Sequence, residues 1–221
     1  MTKSILTPNQ RKFLDFFSSK SVFTNEYYLG GGTALSEYYL QHRKSEDLDF
    51  FGLRDIEPIL ILPYIKMSKP IMKYKALDFQ TSFNRNLFHL IFPNNQTLKI
   101  EFVYFPFEQI ERSKVINNIK VDSLIDIAVN KIFTISQNPR GRDYFDIYFI
   151  LKSQSDWTID MLLKKAKIKF DWHVDAIQLG SQLKRVSELM DDPILEKQVS
   201  KLEIVNFINQ EADRLIESSL K

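Results

Sequence analysis

Apolar and polar positions change their period several times along this chain. Over residues 8–18, Phe13, Leu14, Phe16 and Phe17 gather on one side of a helical wheel, with Thr7 placed as cap and Pro8 at the first helical position. Tyr27-Tyr28-Leu29 reads as a short strand, and after three consecutive glycines, Gly30, Gly31 and Gly32, a helix is predicted over 33–41. At 47–51 the period falls to two, with Leu48 and Phe50 alternating against Asp47 and Asp49. Residues 58–66 admit a helix begun by Pro58 and interrupted by Pro63. Strands are predicted over 71–79, 83–92 and 97–105, the last two joined by a hairpin turn at Asn94-Asn95, which gives an antiparallel meander.

From Val121 onward the period is helical. Asp122-Ser123 is placed to cap a helix through about 137, with Leu124, Ile125, Ala128, Val129, Ile132 and Ile135 as its stripe. Asn138-Pro139-Arg140-Gly141 breaks it, and a second helix runs over 142–152. Further helices are predicted over 161–170 and 199–216, with a turn at Asp191-Asp192-Pro193.

Composition narrows the class without naming it. At 221 residues and 44% apolar content the chain can build one large or two small cores. The net charge of +2, from 30 basic and 28 acidic residues, predicts no strong field toward nucleic acid, so any such contact must be a local patch. Cysteine is absent, which excludes disulfides and thiolate metal sites and fits a reducing compartment. No stretch reaches the roughly 18 apolar residues of a membrane helix, so the chain is expected to be soluble and cytoplasmic.

Candidate chemistry gathers in two stretches. The glycines follow a strand and precede a helix, so their amides and the positive helix end suit a phosphate, although neither GxGxxG nor GxxxxGK[ST] is present. Asp47 and Asp49 would share a strand face, where a divalent cation such as Mg²⁺ relieves their repulsion. Arg43 and Ser45, just upstream, are placed to reach a bound triphosphate or to face solvent. In the second stretch, Lys131 projects from the apolar side of its helix, which is costly unless it is paired or faces a cleft. Asp143 and Asp146 share a face of the next helix, Asp143 as a possible cap and Asp146 deep among Phe145, Ile147, Tyr148 and Phe149. Lys164, Lys165, Lys167 and Lys169 allow a basic amphipathic helix that touches RNA, or a plain solvated face.

The run Gly31-Gly32-Thr33-Ala34-Leu35, followed by Arg43, Ser45 and Asp47-Leu48-Asp49, resembles the AbiEii/AbiGii toxin family within the DNA polymerase β-like nucleotidyltransferase superfamily. The later run KIFTISQNPRGRDYFDIYFIL is similar to that family's second motif. The resemblance implies an α+β fold: a nucleotidyltransferase domain over 1–115, with a mixed sheet and flanking helices, then a helical domain over 116–221 that completes the active site. It also implies Mg²⁺-dependent transfer of a nucleoside monophosphate from an NTP to an acceptor hydroxyl on RNA, such as a tRNA 3′ end, or on protein, and a cognate antitoxin as partner. Asp47, Asp49, Lys131 and Asp146 match the family's active-site positions, Gly31, Gly32, Thr33, Arg43 and Ser45 its nucleotide-binding stretch, and Arg140 and Asp143 neighbouring ones. Glu101 falls where the superfamily commonly has a third aspartate, as metal ligand or general base. A small-molecule nucleotidyltransferase and a non-catalytic antitoxin-binding module are the competing expectations.

Overall fold

Thr7 starts the first helix as expected, since its hydroxyl accepts the Gln10 amide while the Gln10 side chain accepts the Thr7 N–H. The computed structural model describes residues 4–55, 57–173, 175–189 and 193–220. Two units cluster separately, Met1–Tyr39 with Ser45–Ser123, and Leu40–Lys44 with Leu124–Lys221.

The first unit runs α1 (Pro8–Ser18), α2 (Ser21–Glu26), β1 (Tyr27–Gly30), α3 (Gly31–Leu35), β2 (Asp47–Gly52), α4 (Pro58–Met67), α5 (Lys69–Met72), β3 (Ala76–Ser82), β4 (Arg85–Ile91), β5 (Thr97–Tyr104), β6 (Lys114–Ile116) and β7 (Ile119–Val121). Among the described residues these strands form one mixed sheet in the order β3-β4-β5-β2-β1-β7-β6. The meander β3-β4-β5 is antiparallel, β2 lies parallel to β5, and β1 is antiparallel to β2.

Period-two alternation divides the two faces of β2 and β5. Leu48, Phe50, Ile100 and Phe102 are buried on one side, where Phe50 stacks on Phe102 at 5.0 Å and Phe17 of α1 packs on Phe50 at 4.3 Å. Asp47, Asp49, Lys99 and Glu101 are left on the other face.

Four details depart from the pattern reading. The helix after the glycines is α3 followed by a π-turn, Ser36–Leu40, with Gln41 left-handed at φ +49. Pro63 lies inside α4 without ending it, on the exposed side of the helix. The first meander strand starts at Ala76, because Pro70 opens the short α5 and Lys73 closes it at φ +58. Because β6 and β7 join the sheet, the first unit extends to Ser123, beyond the 1–115 span expected from the resemblance.

The second unit contains α6 (Leu124–Gln137), α7 (Gly141–Ser153), α8 (Ile159–Phe170), α9 (Ala176–Lys184) and α10 (Lys201–Ser219). Its apolar centre includes Ile132, Phe145, Leu162, Leu179, Ile204 and Ile208. The detached stretch Leu40–Lys44 belongs to this unit through backbone pairing: the Lys44 N–H donates to the Ile194 carbonyl at 2.8 Å and the Glu196 N–H to the His42 carbonyl at 2.9 Å. Asp191 and Asp192 of the turn expected at Asp191-Asp192-Pro193 lie outside the described residues. On α8 the lysines do not form one solvated face. The Lys169 side chain is 1% exposed and its ammonium pairs with buried Asp126 at 2.7 Å, and Lys164 pairs with Asp160.

Candidate active site

In the first unit the glycine run and the aspartate pair come together through strand register. Gly30 of β1 sits opposite Asp49 of β2, and Asp49 in turn sits opposite Glu101 of β5. Gly31 opens α3 at φ +65, a conformation glycine adopts at little cost. A Cβ built there would lie 2.3 Å from the Asp49 Oδ2, so the missing side chain is what lets the turn approach the carboxylate. Thr33, 1% exposed, donates its hydroxyl to the Asp47 carbonyl and ties the start of the helix to the strand bearing both aspartates. Gly31→Ala combines the steric clash with backbone strain, and should destabilise by on the order of 1–3 kcal/mol, read as a lower denaturant midpoint at unchanged slope.

Glu101 is 6% exposed and faces two cations: its Oε1 lies 2.6 Å from the Lys99 ammonium and its Oε2 3.5 Å from Arg85. Lys99 also reaches the Asp47 Oδ2 at 3.2 Å. Burial alone would push the Lys99 ammonium down, yet the Glu101 and Asp47 carboxylates hold it above its ordinary value. The Asp47, Asp49 and Glu101 carboxylates share this face with Lys99 and Arg85. Among the described residues no group of three or more acidic, histidine or cysteine side chains is gathered as metal ligands. Asp47 and Asp49 on this face offer the one or two protein carboxylates that Mg²⁺ takes alongside water and phosphate oxygens, and Glu101, expected as a third ligand or a general base, stands beside Asp49 in register.

In the second unit, Asp146 is the centre of the network. It is fully buried on α7 and receives the Arg43 guanidinium through two bonds, Nε to Oδ1 at 2.7 Å and Nη2 to Oδ2 at 2.9 Å. The Lys131 ammonium of α6 lies 2.7 Å from Oδ2, and the His42 Nε2 lies 2.7 Å from Oδ1. Lys131 also meets the Asp143 Oδ1 at 2.6 Å, and Asp143 caps α7 by accepting the Arg140 N–H at 3.1 Å. Burial would push the Asp146 carboxyl up, but Arg43 and Lys131 hold it well below the usual carboxylate range. Burial would likewise raise Asp143, and Lys131 with Arg140 keeps it low. Burial pushes the His42 imidazole down despite the pull of Asp146. Arg43, Lys131 and Arg140 all pair with one or both of these two aspartates.

Arg43, expected at a triphosphate or at the surface, is 2% exposed and forks onto Asp146. Ser45 belongs to the first unit, and its carbonyl accepts the Gln10 amide at 2.8 Å. Two partners escaped the pattern reading. Lys99 carried a local signal that could have found it, standing two residues before Glu101 on the same strand face. His42 was hidden, since an aromatic residue at helical spacing reads as core.

A mixed sheet with a glycine turn abutting an aspartate pair, followed by helices, defines a polymerase β-like nucleotidyltransferase fold. Two solved structures share it: an inferred nucleotidyltransferase of H. pylori (TM-score 0.62, 20% identity, 97% of each chain covered) and JHP933 of Helicobacter pylori (TM-score 0.60, 20% identity, 96% of this chain and 91% of that one). The sequence profile described as "Nucleotidyl transferase AbiEii toxin, Type IV TA system" matches residues 13–215, and the chain belongs to that family. An uncharacterized protein of Aquifex aeolicus (strain VF5) is 28% identical over 167 residues, covering 75% of this chain and 76% of the relative.

Proposed function

We propose that this nucleotidyltransferase-family protein transfers a nucleoside monophosphate from an NTP to a hydroxyl of RNA or protein, with Asp47 and Asp49 holding Mg²⁺. The observation that carries this reading is the aspartate pair on one strand face, abutting the Gly31 turn. Bound there, the ion would supply Lewis-acid stabilisation of phosphate oxygens. The chain's own groups do the rest. The amides of the glycine turn and the N-terminus of α3 bind the outer phosphates, and Thr33 fixes the turn against β2. Glu101, with both oxygens engaged by cations, positions Lys99 beside Asp47.

The resemblance to the family's second motif is what extends the proposal to Lys131 of the second unit. Asp143 and Asp146 hold the Lys131 ammonium in one place, and its charge is offered to the triphosphate as negative charge develops there. Arg43 and His42 fix Asp146 in turn. Lys131→Ala should weaken triphosphate binding at least about tenfold, equivalent to ~1.4 kcal/mol, in a fluorescent-nucleotide titration. Unchanged affinity would make Lys131 a purely structural ion.

Family membership implies a cognate antitoxin. The acceptor is identified by incubating the protein with each labelled NTP and Mg²⁺, together with total RNA or protein extract. Label in RNA or protein supports the reading and names the acceptor class. Label only in small molecules would replace it with a small-molecule transferase, and absence of any NTP binding would overturn it.

A further inference from the structure

The structure assigns a protein-docking surface to the exposed stripe of α4 and α5: we infer that it receives a helix of another protein whose apolar stripe is flanked by Asp and Glu. This proposal is independent of the nucleotidyl-transfer reading.

At 100° per residue, Ile59, Leu60, Pro63, Lys66 and Met67 fall within about 120° of the helix circumference. Ile59 is 71% exposed, Leu60 62% and Met67 58%, and Ile71 of α5 is 52% exposed. The opposite side of α4 carries Ile61, Tyr64 and Ile65, all buried. There Tyr64 stacks on Phe23 at 3.8 Å and on Phe16 at 4.9 Å. A helix that is apolar all round has the composition of a core helix, yet here one side is uncovered.

Charge selects the occupant. The segment from Pro58 to Lys75 contains Lys66, Lys69, Lys73 and Lys75 and no acidic residue. None of these lysines has a carboxylate partner among the described residues. Lys75 donates to Asn95 at 2.7 Å, and Lys69 lies over the Tyr74 ring at 5.6 Å. A second copy docked about a two-fold axis would set this basic rim against itself. A helix lying in a lipid surface presents a charged face opposite its apolar one, whereas the opposite face of α4 is apolar and fixed against α1 and α2. A helical partner with an acidic rim satisfies both the stripe and the lysines.

The experiment uses the full chain and two synthetic helix-forming peptides that share a leucine stripe at i, i+3, i+4, i+7, one flanked by glutamates and one by lysines. Fluorescence anisotropy should show the acidic peptide binding at least tenfold tighter than its basic twin, and more weakly as salt rises. Leu60→Ser/Met67→Ser should weaken it at least tenfold. Lys66→Glu/Lys69→Glu, which alters only exposed side chains, should reverse the preference. Neither variant touches the carboxylate face, so nucleotide binding and the thermal midpoint verify that each is folded. Equal or absent binding of the two peptides overturns the proposal, as does indifference to either variant. Sedimentation with phosphatidylserine vesicles that the same variants abolish would assign the surface to membrane instead, and a variant-sensitive dimer in light scattering would assign it to self-association.

Discussion

Asp49→Asn is expected to lower the rate of nucleotidyl transfer roughly 10³-fold, about 4 kcal/mol of transition-state stabilisation, while the thermal midpoint moves by no more than a few degrees. The asymmetry follows from where Asp49 stands. It is half-buried, on a strand face it shares with the Asp47 and Glu101 carboxylates, so the isosteric amide keeps the shape and reduces like-charge repulsion. What it removes is one of the two hard anionic donors beside the glycine turn. Single-turnover transfer of labelled nucleotide measures the first effect, and a melt in the absence of nucleotide measures the second. Mg²⁺-dependent nucleotide binding should disappear with the activity. Full activity in this variant would take the aspartate pair out of the reaction and leave the enzyme reading without its main support.

The reason this half of the site was legible in the sequence is geometric. A strand has an integral period, so Asp47 and Asp49 must share a face once Leu48 and Phe50 are buried, and consecutive glycines announce a close approach of backbone to something. The register that sets Asp49 opposite both Gly30 and Glu101 joins strands β1, β2 and β5, and no local pattern specifies it. The second half was harder. Lys131 and Asp146 could be flagged because charges on apolar helix faces need partners, but the choice of partner was not local. Arg43 pairs with Asp146 103 residues away, after a π-turn and a left-handed Gln41 that propensity alone does not predict. The apolar helix over 58–67 failed for the opposite reason: Pro63 signals a break, and the helix tolerates it because the proline lies on the exposed side.

Asp146→Asn should be the most destabilising single change in the second unit, costing about 3–5 kcal/mol and lowering the transition midpoint by more than about 10 °C. Asp146 is fully buried, so the amide keeps the volume but leaves the Arg43 and Lys131 charges facing a neutral group in a medium that screens them poorly. A loss below about 1 kcal/mol in denaturant titration would show that water reaches the network and that the pairs are worth no more than surface ones. The same network fixes the pH dependence. Asp146 and Asp143 titrate lower in the folded protein than the ordinary carboxylate value near 4, so the stability they contribute is present above about pH 4 and is lost as pH falls through their folded values. His42 is also depressed, and therefore neutral in the fold where the unfolded chain begins to take a proton near pH 6.5. Because the unfolded state then binds more protons, stability should already decline below about pH 6.5, with a slope of at most ~1.4 kcal/mol per pH unit from this one group. His42→Gln, which keeps a donor toward Asp146 without a titratable ring, should flatten the decline that sets in below about pH 6.5 and leave the carboxylate limb below about pH 4 in place. If both limbs survive that substitution, the proton taken up near neutrality belongs to another group, and the imidazole is only a neutral packing partner of the aspartate.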